Sequence, residues 1–234
     1  MVDEAFASGW KMPMLLLTQK FLKQEAAEHF ILKASQIKVP VYSVKEKDLR
    51  GIVETVQPQG IVALLEPQFA KIEQLSKETR PSLIVALDGV AEPGNLGTII
   101  RTCDWFGIHG IMVGRGSVDV LNSKVVRSSM GSIFHLPIVR EVNLVNEISQ
   151  LKNRGYEICA AVASGGTGLE VLSRNQKLVL MFGNEAHGLD DRLLEMVDDE
   201  ITIPKFGRAE SLNVSAACAV LLSHLRLTAR STDA

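Results

Sequence analysis

Apolar residues fall in short blocks along this chain, separated by polar or glycine-containing segments, and the character of the blocks changes about a third of the way along. The first stretch predicts a strand at Met14–Leu17, a helix around Lys20–Lys33, a strand at Val39–Val44, a helix at Lys45–Gly51 and a strand at Gly60–Leu65. Short alternating elements of this kind make a small α/β unit. Between Lys71 and Pro81 the chain turns polar and charged and ends on a proline, which places a linker there and divides the chain into residues 1–78 and 79–234.

Beyond the linker, strand blocks at Leu83–Leu87, Gly110–Val113, Glu157–Val162, Leu178–Phe182 and Glu200–Ile203 are interleaved with helical patterns. These patterns lie at Leu96–Phe106, Lys124–Met130, Leu144–Lys152, Asp191–Val197 and from about Asn213 to Thr228. Continuous apolar strands alternating with helices predict a buried, mostly parallel sheet. Ligands on such sheets bind beyond the carboxyl ends of the strands, so the loops that follow the strands are where chemistry is expected.

Three of those loops qualify. In LDGVAEPGNLGTIIR (residues 87–101), Pro93 and Gly94 break the chain and Asn95 is expected to cap a helix beginning at Leu96, with Arg101 suited to a phosphate or carboxylate. In FGNEAHGL (182–189), Gly183 and Gly188 permit a close backbone approach, while Glu185 and His187 offer a carboxylate and an imidazole. His187 beside a helix start reads as structural rather than catalytic. In ITIPKFGRAESLNV (201–214), Ser211 or Asn213 is expected to cap the last helix and leave open N–H groups toward a cleft. Taken one at a time, each loop is also explained by ordinary caps and turns. The Gly165–Gly168 cluster lacks the ending of a phosphate loop, and no GxGxxG follows the first strand.

Composition narrows the picture only a little. A chain of 234 residues, 46% hydrophobic and 22% charged, can bury the cores of two modest domains and is neither disordered nor fibrous. The longest apolar runs, Ile61–Leu65 and Ala216–Leu222, fall far short of the roughly 20 residues a spanning helix needs. Cys103, Cys159 and Cys218 are widely spaced and show no zinc pattern; together with the lack of a signal-like opening this points to a reduced cytoplasm. The net charge is -2, and residues 1–80 hold 11 basic against 10 acidic side chains, so any affinity for nucleic acid must come from local patches.

Taken in order, PGNLGTIIRT, FGNEAHGL and IPKFGRAESLNVSAACAVL, with VVRSSMGSIFHLPI between the first two, resemble the motifs of the SpoU/TrmH family of RNA 2'-O-ribose methyltransferases in the SPOUT superfamily. The resemblance spans residues 82–228. Less specifically, VYSVKEKDLRGIVETVQPQGIVALL resembles the substrate-binding domain found before it, related to kink-turn-binding ribosomal proteins. Family members usually open with a strand before the first helix, whereas this chain opens inside that helix at VDEAFASGW.

The resemblance implies a mostly parallel sheet with a carboxyl-terminal trefoil knot, S-adenosylmethionine as cofactor and a homodimer. It implies backbone cofactor contacts at Gly183, Ile203 and Leu212, with Asn95, Arg101, Glu185, Ser211 and Asn213 around the methyl donor and no metal. The implied substrate is structured RNA, ribosomal first and transfer RNA second. The competing readings are a catalytically silent RNA-binding relative, disfavoured by the intact polar set, and another nucleotide-binding α/β enzyme, disfavoured by the missing phosphate motifs.

Overall fold

The structure is a computed structural model that describes residues 1–53, 58–75, 82–172 and 177–229. The chain forms two compact units, Met1–Gln68 and Phe69–Ala234. Of the expected linker, residues 76–81 lie outside the described ones, while Ile72–Leu75 is a single helical turn whose Leu75 is buried in the core of the second unit.

The first unit runs α1 (Val2–Ala7), β1 (Lys11–Thr18), α2 (Ala26–Gln36), β2 (Val41–Val44), α3 (Glu46–Arg50) and β3 (Ile61–Glu66). β1 lies between a parallel β2 and an antiparallel β3. Leu15 is opposite both Val41 and Ala63, so these three share one face of the sheet, on which Leu17, Phe21, Ala27 and Ala34 close the core. The one helix expected over Lys20–Lys33 is instead a 3-10 turn, Phe21–Lys23, followed by α2. The cause is local: Thr18 Oγ1 accepts the N–H of Phe21 at 3.2 Å, and the Phe21 ring turns into the core before a regular helix can start.

After α4 (Ile72–Leu75), the second unit runs β4 (Leu83–Leu87), α5 (Pro93–Trp105), β5 (Gly110–Gly114), α6 (Ser123–Ser128), β6 (Ile138–Val142), α7 (Leu144–Asn153) and β7 (Tyr156–Val162). β8 (Lys177–Phe182), α8 (Asp191–Leu194), β9 (Asp199–Thr202) and α9 (Val214–Ala229) complete it. The six strands are all parallel and stand in the order β6-β5-β4-β8-β7-β9. β4 is buried along its whole length and β8 from Leu178 to Phe182, which is why both appear in the sequence as unbroken apolar runs.

The edge strand β6 has no counterpart among the predicted elements. Its Arg140 and Glu141 face outward at the sheet margin, and that pair of charges hides an edge strand from a reading based on apolar runs. On one face Ile84, Met112, Ile158 and Met181 pack under Ile148 and Leu151 of α7. α5 and α9 pack against each other, with Cys103 and Cys218 fully buried on them. All three thiols are reduced, and burial pushes Cys159 up to about 12. Among the described residues no helix is long and apolar enough to cross a membrane.

α5 meets α6 at Gly97, where a Cβ would stand 1.9 Å from Ser128 Oγ and 2.7 Å from the carbonyl oxygen of Val125. Gly97→Ala is therefore expected to lower unfolding stability by about 1–3 kcal/mol through overpacking. Gly207→Ala, where a Cβ meets nothing within 4 Å, should change it by less than about 0.5 kcal/mol. Denaturant unfolding of the two variants against the parent makes the comparison.

Candidate active site

The chain runs outward through β4, β5 and β6 and then returns to the other side of β4, where β8 fills the gap between β4 and β7. Strand order reverses at β4 and β8, so the loops that follow these two strands flank the crevice where such sheets bind ligands. Hydrogen bonds tie the loops together. Asp88 N–H donates to the Phe182 carbonyl at 2.8 Å, Asp190 N–H to Asp88 Oδ2 at 2.9 Å, and Asn184 Nδ2 to the Gly89 carbonyl at 2.7 Å.

α5 begins earlier than its sequence predicts. Glu92, not Asn95, caps it: the Glu92 carboxylate accepts the N–H of Asn95 at 2.6 Å, pairs with Lys124, and is followed by Pro93 in the first helical turn. Proline is preorganised for that position, which pulls the helix start back to residue 93. With Glu92 as the cap, the side chain of Asn95 is free for other partners. Its Nδ2 donates to Glu185 Oε1 at 2.9 Å, and its Oδ1 accepts from Asn213 Nδ2 at 2.9 Å.

Asn213 does cap α9, as expected, with Oδ1 accepting from Ser215 N–H at 2.9 Å and Ala216 N–H at 3.4 Å. The capping oxygen leaves only Nδ2 to donate, and the carboxylate at the far end can only accept. Both ends of the Asn213–Asn95–Glu185 chain therefore fix the orientation of the amide between them. Burial raises the Glu185 carboxyl, but donation from Asn95 and from the amide of Ala91 outweighs it and holds the group below its ordinary value.

The β8 loop is a tight hairpin. Asn184 and Gly188 exchange backbone hydrogen bonds at 2.8 and 2.9 Å, and Asn184 Oδ1 also accepts from the N–H groups of Ala186 and His187. Gly183 has no alternative here, since a Cβ would lie 2.2 Å from the carbonyl carbon of Gly188.

Against this hairpin, β9 and the segment leading into α9 enclose a cavity of about 670 Å³. Gly183, Ile203 and Leu212 line it, as do Glu185, Ser211 and Asn213. Asn95 joins through its two hydrogen bonds. Arg101 stands apart: six residues along α5, roughly 120° around the helix axis from Asn95, it is exposed and makes no hydrogen bond or ion pair with the described residues.

Ala161, Val162 and Ala163 also line the cavity and were not expected there, because no polar group marks them. Their only signal is their place at the end of a buried parallel strand. Among the described residues one set of metal-ligating types, Glu157, Cys159 and Asp199, comes together, on β7 and β9 rather than at the loops.

Comparison with known proteins agrees with this geometry. Residues 82–223 match the model of the SpoU rRNA Methylase family, and residues 1–70 match that of RNA 2'-O ribose methyltransferase substrate binding. Over 218 residues, covering 90% of this chain and 85% of the relative, the chain is 34% identical to the 23S rRNA (guanosine(2553)-2'-O)-methyltransferase RlmP of Bacillus subtilis. The SpoU methyltransferase AviRb of Streptomyces viridochromogenes, solved with AdoMet, superposes with a TM-score of 0.85 at 25% identity, over 98% of this chain and 88% of that one. An AdoMet-bound rRNA methyltransferase of Sinorhizobium meliloti superposes with a TM-score of 0.84 at 29% identity, over 97% and 84%. With both units matched and the three loops joined by the Asn213–Asn95–Glu185 chain, this chain belongs to the SpoU rRNA methylase family.

Proposed function

We propose that the protein transfers a methyl group from S-adenosylmethionine to a ribose 2'-hydroxyl of structured RNA, ribosomal RNA in the first place. The observation that carries this reading is the Asn213–Asn95–Glu185 chain at the mouth of the cavity, assembled from all three family loops. Ribosomal RNA is favoured over transfer RNA because the Bacillus relative and the Sinorhizobium structure, both named for rRNA, cover 90% and 97% of this chain.

The residues fit the cofactor. A cavity of about 670 Å³ lies inside the roughly 300–1,000 Å³ range of pockets for ligands of this size, and Gly183, Ile203 and Leu212 offer backbone groups along its wall. The cofactor supplies a methyl group already activated on a sulfonium, so the protein's share of the rate is chiefly positioning.

In this reading, Ser211, whose hydroxyl is unbonded among the described residues, and Asn213 orient the ribose hydroxyl. Glu185, held below the usual carboxyl range, is a weak proton acceptor and anchors Asn95 instead. Arg101, exposed and off the cavity wall, clamps the adjoining phosphate with its guanidinium and from there stabilises the developing alkoxide, and the hydroxyl proton passes to water.

Several further features complete the proposal. The enzyme works without a metal in the cytoplasm as a homodimer, consistent with exposed Trp105 on α5 and Val220 and Leu227 on α9. The carboxyl-terminal knot and the roles of the site residues are part of the same reading.

The direct test is incorporation of labelled methyl from S-adenosylmethionine into ribosomal RNA of a strain lacking the enzyme, followed by mapping of 2'-O-methyl sites. No incorporation by folded protein would end the proposal. Arg101→Ala is expected to abolish transfer while calorimetry finds cofactor affinity within a few fold, and Arg101→Lys should rescue little, because a point charge does not reproduce a planar fork. Asn95→Ala, which cuts the chain at its middle, should lower kcat by about ten-fold or more, the scale of lost positioning interactions, with the cofactor still bound. Residues 69–234 alone should bind cofactor and form a dimer yet lose most activity on structured RNA, as read by methyl incorporation across a salt series.

A further inference from the structure

The segment between β9 and α9 has a property that cofactor binding does not use. From Pro204 to Leu212 every residue is exposed, and none makes a hydrogen bond or ion pair with the rest of the described chain. In the middle of it Phe206 is 98% exposed, the most exposed large apolar side chain among the described residues. Lys205 precedes it, and Arg208 follows after Gly207. Both cations are exposed and without an anionic partner among the described residues. The same segment lines the cavity and leads within a few residues to Ser211 and Asn213.

An aromatic ring left in water between two uncommitted cations matches the way proteins hold unpaired RNA, with a base stacked on the ring and neighbouring phosphates on the charges. We propose that Phe206 is a stacking platform for an unpaired nucleobase at or next to the methylated nucleotide, and that Lys205 and Arg208 hold the flanking phosphates. The proposal rests on the RNA methyltransferase reading above and narrows its substrate class to RNA whose target lies in a loop, bulge or opened strand, since a paired base has no free face to offer. A second copy of the chain is a poorer occupant: a two-fold contact brings the same patch against itself, and the two pairs of cations would face one another. The cofactor is poorer too, because a ring 98% exposed is not enclosed by the cavity it borders.

The test uses the full-length protein. Phe206→Ala should raise KM for unmethylated ribosomal RNA and lower kcat/KM on the order of 10- to 100-fold, the scale of one lost base–aromatic stack. Cofactor affinity by calorimetry should stay within about two-fold and the sedimenting mass should not change, while Phe206→Tyr retains activity within about three-fold, since both rings stack alike. Lys205→Ala and Arg208→Ala should each reduce the salt slope of RNA binding by about one. In Phe206→Trp, fluorescence above the contribution of Trp10 and Trp105, taken from the parent protein, should be quenched by single-stranded oligouridine and not by its duplex with oligoadenine. An unchanged KM and an unquenched signal would overturn the proposal. Loss of cofactor binding in Phe206→Ala would overturn it in favour of the cofactor pocket, and a change of mass would do so in favour of a contact between copies. If the parent protein methylates no RNA, the functional reading fails, and the fluorescence result still decides the platform.

Discussion

The place of β8 determines everything the site does. It enters the sheet between β4 and β7, and each neighbour is pinned to it by a run of paired residues, Leu83–Leu87 on one side and Tyr156–Ala160 on the other. Because both β4 and β8 are buried, neither can slip without exposing an entire apolar strand or moving it into the wrong layer. The loops after them therefore start from fixed points side by side, and the bonds Asp88 to Phe182 and Asn184 to Gly89 tie together loops already placed by the strands. The site's geometry is inherited from strand register rather than imposed by the loops.

On that base, the polar chain works as a directional device. Its ends differ chemically: a helix cap that can spare only a donor at Asn213, and a carboxylate that can only accept at Glu185. Asn95 has one orientation that satisfies both. An amide locked in this way adds no rotational freedom to the site. The arrangement depends on Glu92 taking over the cap of α5, because an Asn95 committed to its own helix would have no side chain to lend.

How much of this could be read in advance follows from the kind of signal each part leaves. Buried parallel strands announce themselves as apolar runs, so β4, β5, β7 and β8 were legible and the charged edge strand β6 was not. Glycines that permit contact rather than turning were half legible: Gly183 stood out by its motif, but the carbonyl that forbids a Cβ there is five residues away and visible only in three dimensions. The cap on α5 was misread because Asn is the commoner cap and Glu92 takes the role only with Pro93 after it and Lys124 beside it. Arg101 stands out in the sequence by its charge, and its six-residue spacing from Asn95 already sets it about 120° around α5, where it is exposed and off the cavity wall. Ala161 to Ala163 have no chemistry of their own and enter only as cavity wall.

A strand inserted late into the middle of a sheet also has a history in time. Leu83 must wait for Leu178 to be made before their pairing can form. At roughly 5–20 residues per second, synthesis of the intervening chain takes on the order of 5–20 s. Through that interval β4 exists without β8, β7 being made only near its end, and β4 presents an unpaired, wholly apolar edge of the kind that recruits other chains. The open edge of β4 exposes the newborn chain to edge-to-edge association in those seconds, before the finished sheet covers it.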